Sequence, residues 1–377
     1  MKAICKPQAA PGFAIIDTPI PEPGPGEVRL KILSTSICGT DLNITNWGPW
    51  SAGRIQPPLV YGHECCGLVD ALGDGVTDFA IGDYVAPEMH LTYWKSPDGL
   101  TDNQGQTSET GHYGYWEDTG TIYGIDRPGC FAEYMVIPAQ QLVRLPDWLP
   151  ASWGACLDSL GNAVHACTKV PVEGKSVLVT GCGPLGVFSV AVAKALGARA
   201  VYASDITAYR RDKALEAGAD AVFSPETGKV SEAVATAETQ QGQLAGVDVV
   251  IEMSGNTQAI LDGLDALNKG GQIILMGLTK ETTPIELNTQ VIFKEATLMG
   301  CNGRQLFRTW DIMLDLLNKK ALNLDFNITH HMSLDAFGDA IAILATGQSG
   351  KIVMDVASGD NLSPSVAQSS ALASSSS

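Results

Sequence analysis

The spacing of hydrophobic and polar positions changes character near Trp153. Before it, short segments such as "EVRLKILST", "CGLVDAL", "GDYVAP" and "FAEYMVIP" alternate apolar and polar residues and are punctuated by Gly and Pro. Period-two alternation between turn residues predicts an irregular β domain over residues 1–155. After Trp153, apolar runs ("SVLVTG", "AVYASD", "AVFSP", "VDVVIEMSG", "QIILMG") alternate with helix-period segments ("GVFSVAVAKALGA", "AYRRDKALEAGA", "TQAILDGLDALNKGG"). That order predicts βαβ units, an α/β fold with a doubly wound parallel sheet over 156–300. Its strands are continuously apolar, as strands covered by helices on both faces must be.

From Cys301 the pattern loosens. "RQLFRTWDIMLDLLNKKAL" puts Phe307, Trp310, Met313, Leu314 and Leu317 on one face of a helix. "LDAFGDAIAILATGQ" predicts a second helix and "GKIVMDV" a last strand, so 301–357 is expected to return to the first domain. The Ser-rich segment 358–377 has no periodicity and is expected to be disordered. The polar, aperiodic stretch after His90 predicts a long loop.

Composition narrows the function. The 377 residues give room for two domains. A net charge of −17 opposes phosphate backbones and anionic membranes, so neither nucleic acid nor membrane is an expected partner. No run is long and apolar enough to cross a bilayer, and "MKAICKPQAAPGF" lacks a signal-peptide pattern. Nine cysteines, an odd number without C-x-x-C spacing, point to reduced thiols and a cytoplasmic setting.

Two segments carry candidate chemistry. "SVLVTGCGPLG" spaces Gly181, Gly183 and Gly186 as G-x-G-x-x-G between a strand and a helix. Such glycines let the backbone turn tightly against a pyrophosphate at a helix N-terminus. Asp205 closes the next strand, where an acid holds the adenosine ribose. Its charge favours NAD over NADP, although Arg210 and Arg211 follow closely.

The second is "PPLVYGHECCGLVDALGDGV", which reads as a buried strand with His63 and Glu64 inside it; Cys38 lies in "SICGTD". A thiolate, an imidazole and a carboxylate are donors zinc takes, and three of them with an open position describe a catalytic site. A core cysteine and a satisfied His–Glu pair remain the alternative. Asp158, in "CLDSLGNAVH", reads as a ligand, a proton acceptor, or an acid favoured by a helix dipole.

Together these segments resemble the zinc-dependent medium-chain dehydrogenases, in particular their threonine-oxidising branch. "ICGTD", "GHE", "DRPGCFAEYMVIPA", "LGNAVH", "GPLG", "EMSG", "VIFK", "ITH" and "GQSGK" carry the likeness from Met1 to about Val356. The resemblance implies a Rossmann domain inserted into a GroES-like catalytic domain built from both chain ends. It implies one catalytic zinc on Cys38, His63 and Glu64, with Thr40 and Asp158 in proton transfer. It implies an NAD site lined by Pro184, Leu185, Asp205, Arg210, Met276, Gly277, Leu278, Cys301 and Asn302, and a homotetramer.

Two departures stand out. The loop after His90 lacks the family's four structural-zinc cysteines, so no structural zinc is expected; Trp94, Tyr113, Tyr115 and Trp116 are left to pack it. Asn43 occupies the position of a relay histidine, and an amide does not titrate near neutrality. Either another group carries the proton, His90 being a candidate with an ordinary loop histidine as the alternative, or the substrate differs. The expected reaction is oxidation of a secondary alcohol, threonine to 2-amino-3-ketobutyrate, by hydride transfer. A polyol dehydrogenase on the same scaffold is the nearest rival, and a zinc-free quinone reductase or NAD-binding protein is the rival from another class.

Overall fold

The computed structural model describes residues 1–91, 121–305 and 307–356. The chain divides into two compact units: residues 1–158 with the chain from Ile328 onward, and Ser159–Asn327.

In the first unit the long strand Glu27–Ile37 is central. It pairs antiparallel with Cys65–Leu72, Tyr134–Pro138 and Lys351–Asp355, and the sheet continues through Tyr84–Pro87 to Leu142–Arg144 and, on the other side, to Ile328–Ser333. The register of the last strand sets Ile352 opposite Ile37. This brings Lys351 beside Cys38. The core combines Ile4, Leu30, Ile32, Tyr61, Phe131 and Phe337; Tyr61 packs edge-on against both phenylalanines, which are tilted against each other.

Two features depart from the sequence reading of this unit. His63 and Glu64 do not lie within a strand. They occupy a bend between Leu59–Val60 and Cys65–Leu72. Gly62 breaks the strand with φ +98°, and a Cβ there would sit 2.4 Å from the Phe131 ring. Short helices Gly39–Asn46 and Pro49–Arg54 also interrupt the β texture.

The second unit is a six-stranded parallel sheet. Its order is Ala221–Phe223, Ala200–Ser204, Ser176–Thr180, Val247–Glu252, Leu267–Leu275, Thr297–Gly300. This is the doubly wound order 3-2-1-4-5-6, with its switch point between Ser176–Thr180 and Val247–Glu252. Residues 301–327, expected in the first domain, belong here. Phe326 packs edge-on against Phe188, Lys213 bonds the Phe326 carbonyl, and Asn327 donates to the Pro184 carbonyl. Helix Arg308–Asn318 buries Trp310, Met313 and Leu317 of the expected stripe, together with Leu316, while Phe307 and Leu314 are half-buried. The loop aromatics and the C-terminal tail fall outside the described residues.

Candidate functional site

The metal candidates are set by one helix start and one bend. Cys38 caps helix Gly39–Asn46: Thr40 N–H donates to Sγ at 3.3 Å, and Cys38 N–H donates to Asp41 Oδ2 at 2.9 Å. A thiol at a helix N-terminus has its anionic form favoured. His63 arrives from the bend with Nε2 3.1 Å from Cys38 Sγ. Its other nitrogen, Nδ1, stands 3.6 Å from Asp41 Oδ1. Both of these atoms are buried without a hydrogen-bond partner among the described residues.

Cys38, His63 and Asp41 together bring a sulfur, a nitrogen and an oxygen within 4.8 Å of one another. Burial pushes the Cys38 thiol up, against the pull of His63, and pushes Asp41 up to about 6. Burial lowers His63, but Cys38 and Asp41 outweigh it and hold the imidazole well above its ordinary range. The buried thiol, imidazole and carboxylate form a donor set that suits zinc. Asp41 lies at the far nitrogen from the sulfur, so it fits the carboxylate that orients a ligating histidine rather than a ligand.

The carboxylate of Glu64 is engaged elsewhere. Its Oε2 accepts from Ser36 Oγ and from Lys351 Nζ, which also donates to the Ile37 carbonyl at 3.1 Å. Both members of the Glu64–Lys351 pair are at most 2% exposed. Asp158, in the first turn of helix Leu157–Thr168, acts on His63 by its charge. Thr40 is half-buried and Asn43 exposed. His90 stands on a two-stranded ribbon, its Nδ1 2.9 Å from an oxygen of the fully buried Glu88.

Asp41, Lys351 and Glu88 were not singled out from the sequence. Asp41 had a local signal, the acid three residues after a helix cap. Lys351 had none, because 287 positions separate it from Glu64.

Of the nucleotide candidates, Gly181, Asp205 and Arg210 line a cavity of about 360 Å³ in the second unit, with Ser254, Asn256, Glu226 and Asp262 among others; the remaining candidates do not line it. Gly181 turns with φ +86°, and a Cβ on Gly186 would stand 1.8 Å from the Gly181 carbonyl oxygen, so close approach of strand and helix requires both glycines. Gly183 is the cap of helix Pro184–Ala195 and gives it no side-chain bond, which leaves its N–H groups for a ligand. Asp205 accepts from Cys182 N–H and Thr207 N–H, both at 2.8 Å, and Arg210 lies 3.9 Å from it. Leu185 is half-buried on that helix, Leu278 is 87% exposed, Met276 and Gly277 follow the Leu267–Leu275 strand, Cys301 is buried and Asn302 exposed.

A family profile described as zinc-binding dehydrogenase matches residues 184–319, and one described as an alcohol dehydrogenase GroES-like domain matches 24–147. The chain is 40% identical over 355 residues to an L-threonine 3-dehydrogenase of Pyrococcus horikoshii, covering 94% of this chain and 98% of the relative. It is 36% identical to one of Legionella pneumophila, covering 94% and 100%. Among solved structures, galactitol-1-phosphate dehydrogenase from Escherichia coli aligns with a TM-score of 0.81 at 26% identity, over 94% of this chain and 100% of that one. A zinc-binding dehydrogenase from Sinorhizobium meliloti bound to NADP gives 0.81 at 28%, over 94% and 99%. The chain belongs to the zinc-binding dehydrogenases with a GroES-like domain, in the branch that holds the L-threonine 3-dehydrogenases.

Proposed function

We propose that the protein oxidises a secondary alcohol to a ketone with NAD and one zinc ion, and that the alcohol is L-threonine. The observation that carries this reading is the Cys38–His63 pair backed by Asp41, in a chain that also builds a dinucleotide cavity. Bound there, zinc supplies Lewis acidity that lowers the pKa of a substrate hydroxyl, and NAD supplies the acceptor for the carbinol hydride.

The chain's own residues do the rest. Cys38 and His63 would hold the metal, with the Asp41 carboxylate facing the imidazole Nδ1 at 3.6 Å. The third donor is a carboxylate. Glu64, which follows His63 directly, and Asp158 are its candidates, and Glu64 Oε2 also accepts from Ser36 and Lys351. Thr40, two residues after Cys38, takes the substrate's hydroxyl proton in exchange for its own. His90, held by Glu88, passes it onward where Asn43 has no titrating group. Three carboxylates against one arginine at the cavity support NAD over its 2′-phosphorylated form.

The polyol reading keeps one observation in its favour, the Asn43 departure. Following NADH absorbance with threonine, secondary alcohols and polyols decides: threonine turnover supports the first reading, and polyol turnover with threonine inert replaces it. A zinc-free reductase is disfavoured by the Cys38–His63–Asp41 cluster.

A homotetramer is part of the same proposal. Among the described residues the Thr297–Gly300 strand is an open edge of its sheet, and Leu287, Ile292 and Phe293, close to it in sequence, are 57–66% exposed. Light scattering tests it. Nine free thiols support a reducing compartment, the cytoplasm. Among the described residues no helix is long and apolar enough to cross a membrane.

A further inference from the structure

Glu252 ends the strand Val247–Glu252 at the switch point of the parallel sheet, and its carboxylate is fully buried. None of the steps above uses it. Its Oε1 accepts from the N–H of Ser254 at 2.8 Å, the N–H of Gly255 at 3.0 Å and the Ser254 hydroxyl; Oε2 accepts from Gly255 N–H at 3.2 Å. Among the described residues no ion pair neutralises it. Burial pushes its carboxyl up and the donors around it pull it back. A buried charge without a counter-ion is costly, so the donors must be held in place around it.

One of those donors, Ser254, lines the nucleotide cavity. A Cβ on Gly181 would lie 2.6 Å from Ser254 Cβ, so the first-glycine turn rests directly on the loop that Glu252 gathers. Ser254 Oγ then accepts from Asn256 N–H at 3.0 Å, and Gly181, Ser254 and Asn256 all line the cavity. On its other side, the Glu252 carbonyl accepts from Met276 N–H at 3.0 Å and Gly277 N–H at 3.1 Å. A Cβ on Gly277 would lie 2.7 Å from Glu252 Oε2 and 2.0 Å from Gly255 N.

We propose that Glu252 is a positioning residue for the dinucleotide: it sets the Gly181 turn, the 254–256 loop and the 276–278 segment against one another. The inference rests on reading this cavity as the dinucleotide site. Glu252→Gln keeps one acceptor oxygen, while Glu252→Leu keeps the bulk and none. NADH binding by fluorescence titration is expected to weaken about 3- to 10-fold in E252Q and at least about 30-fold in E252L. KM for NAD rises in step. Zinc content, KM for the alcohol and kcat at saturating NAD stay within about twofold of wild type. Thermal melting without nucleotide is recorded alongside.

Variants that melt earlier but bind NADH as wild type does would overturn the proposal, because Glu252 would then serve only the fold. A wild-type chain that does not bind NADH overturns the underlying reading and the inference with it. If E252L does not fold, E252Q against wild type decides alone.

Discussion

The two units build their candidate sites by opposite means. In Ser159–Asn327 the backbone does most of the work: Gly181 and Gly186 permit an approach that a Cβ would block, and the N–H groups of Cys182 and Thr207 fix Asp205. In the other unit the chemistry is carried by side chains drawn from separate places, Cys38 from a helix cap, His63 from a bend and Lys351 from a strand near the chain's end. A backbone site depends on space and fails when a methyl group is added. A side-chain site depends on charge balance and fails when a partner is removed.

Lys351→Met should therefore give the largest loss of stability. It strands the Glu64 carboxylate in a site 2% exposed, which costs about 3–5 kcal/mol. Urea unfolding should shift accordingly, while NADH affinity stays within about twofold. Gly186→Ala tests the other unit. The added methyl meets the Gly181 carbonyl, and NADH binding should weaken on the order of 100-fold, about 3 kcal/mol, with zinc content unchanged. If either variant damaged both functions equally, the contrast between the units would fail.

A smaller effect concerns His165 in the nucleotide unit. Burial lowers its pKa from the ordinary 6.5, outweighing the Gly303 carbonyl 2.9 Å from Nδ1, which favours the charged form. The unfolded chain then binds the extra proton first, and stability falls as pH drops below about 6.5. Comparing urea midpoints at pH 7.5 and 5.5 should show a loss of about 1 kcal/mol or less in wild type that His165→Gln does not share.

The same contrast governs what the sequence could disclose. The glycine turn and Asp205 were legible because they fall within 25 consecutive residues, and the parallel sheet because each of its strand–helix steps is written locally. Cys38 and His63 were legible as donor types, but their surroundings were not. Periodicity alone ran a strand through His63 and Glu64, because nothing local announced that Phe131 would close off Gly62. The ion pair of Glu64 with Lys351 could not be read beforehand, because Lys351 comes from the far end of the chain. The boundary near residue 301 went unseen for a similar reason: Phe326 and Asn327 are tied to the nucleotide unit by contacts with Phe188 and Pro184.

The central claim is a zinc ion held by Cys38 and His63. Metal analysis of never-chelated wild type and Cys38→Ser, with NADH titration on the same samples, tests it most directly. The account predicts about one zinc per wild-type chain, almost none in C38S, and equal NADH affinity in both. Wild type free of zinc yet active, or C38S retaining both its zinc and its turnover, would contradict it.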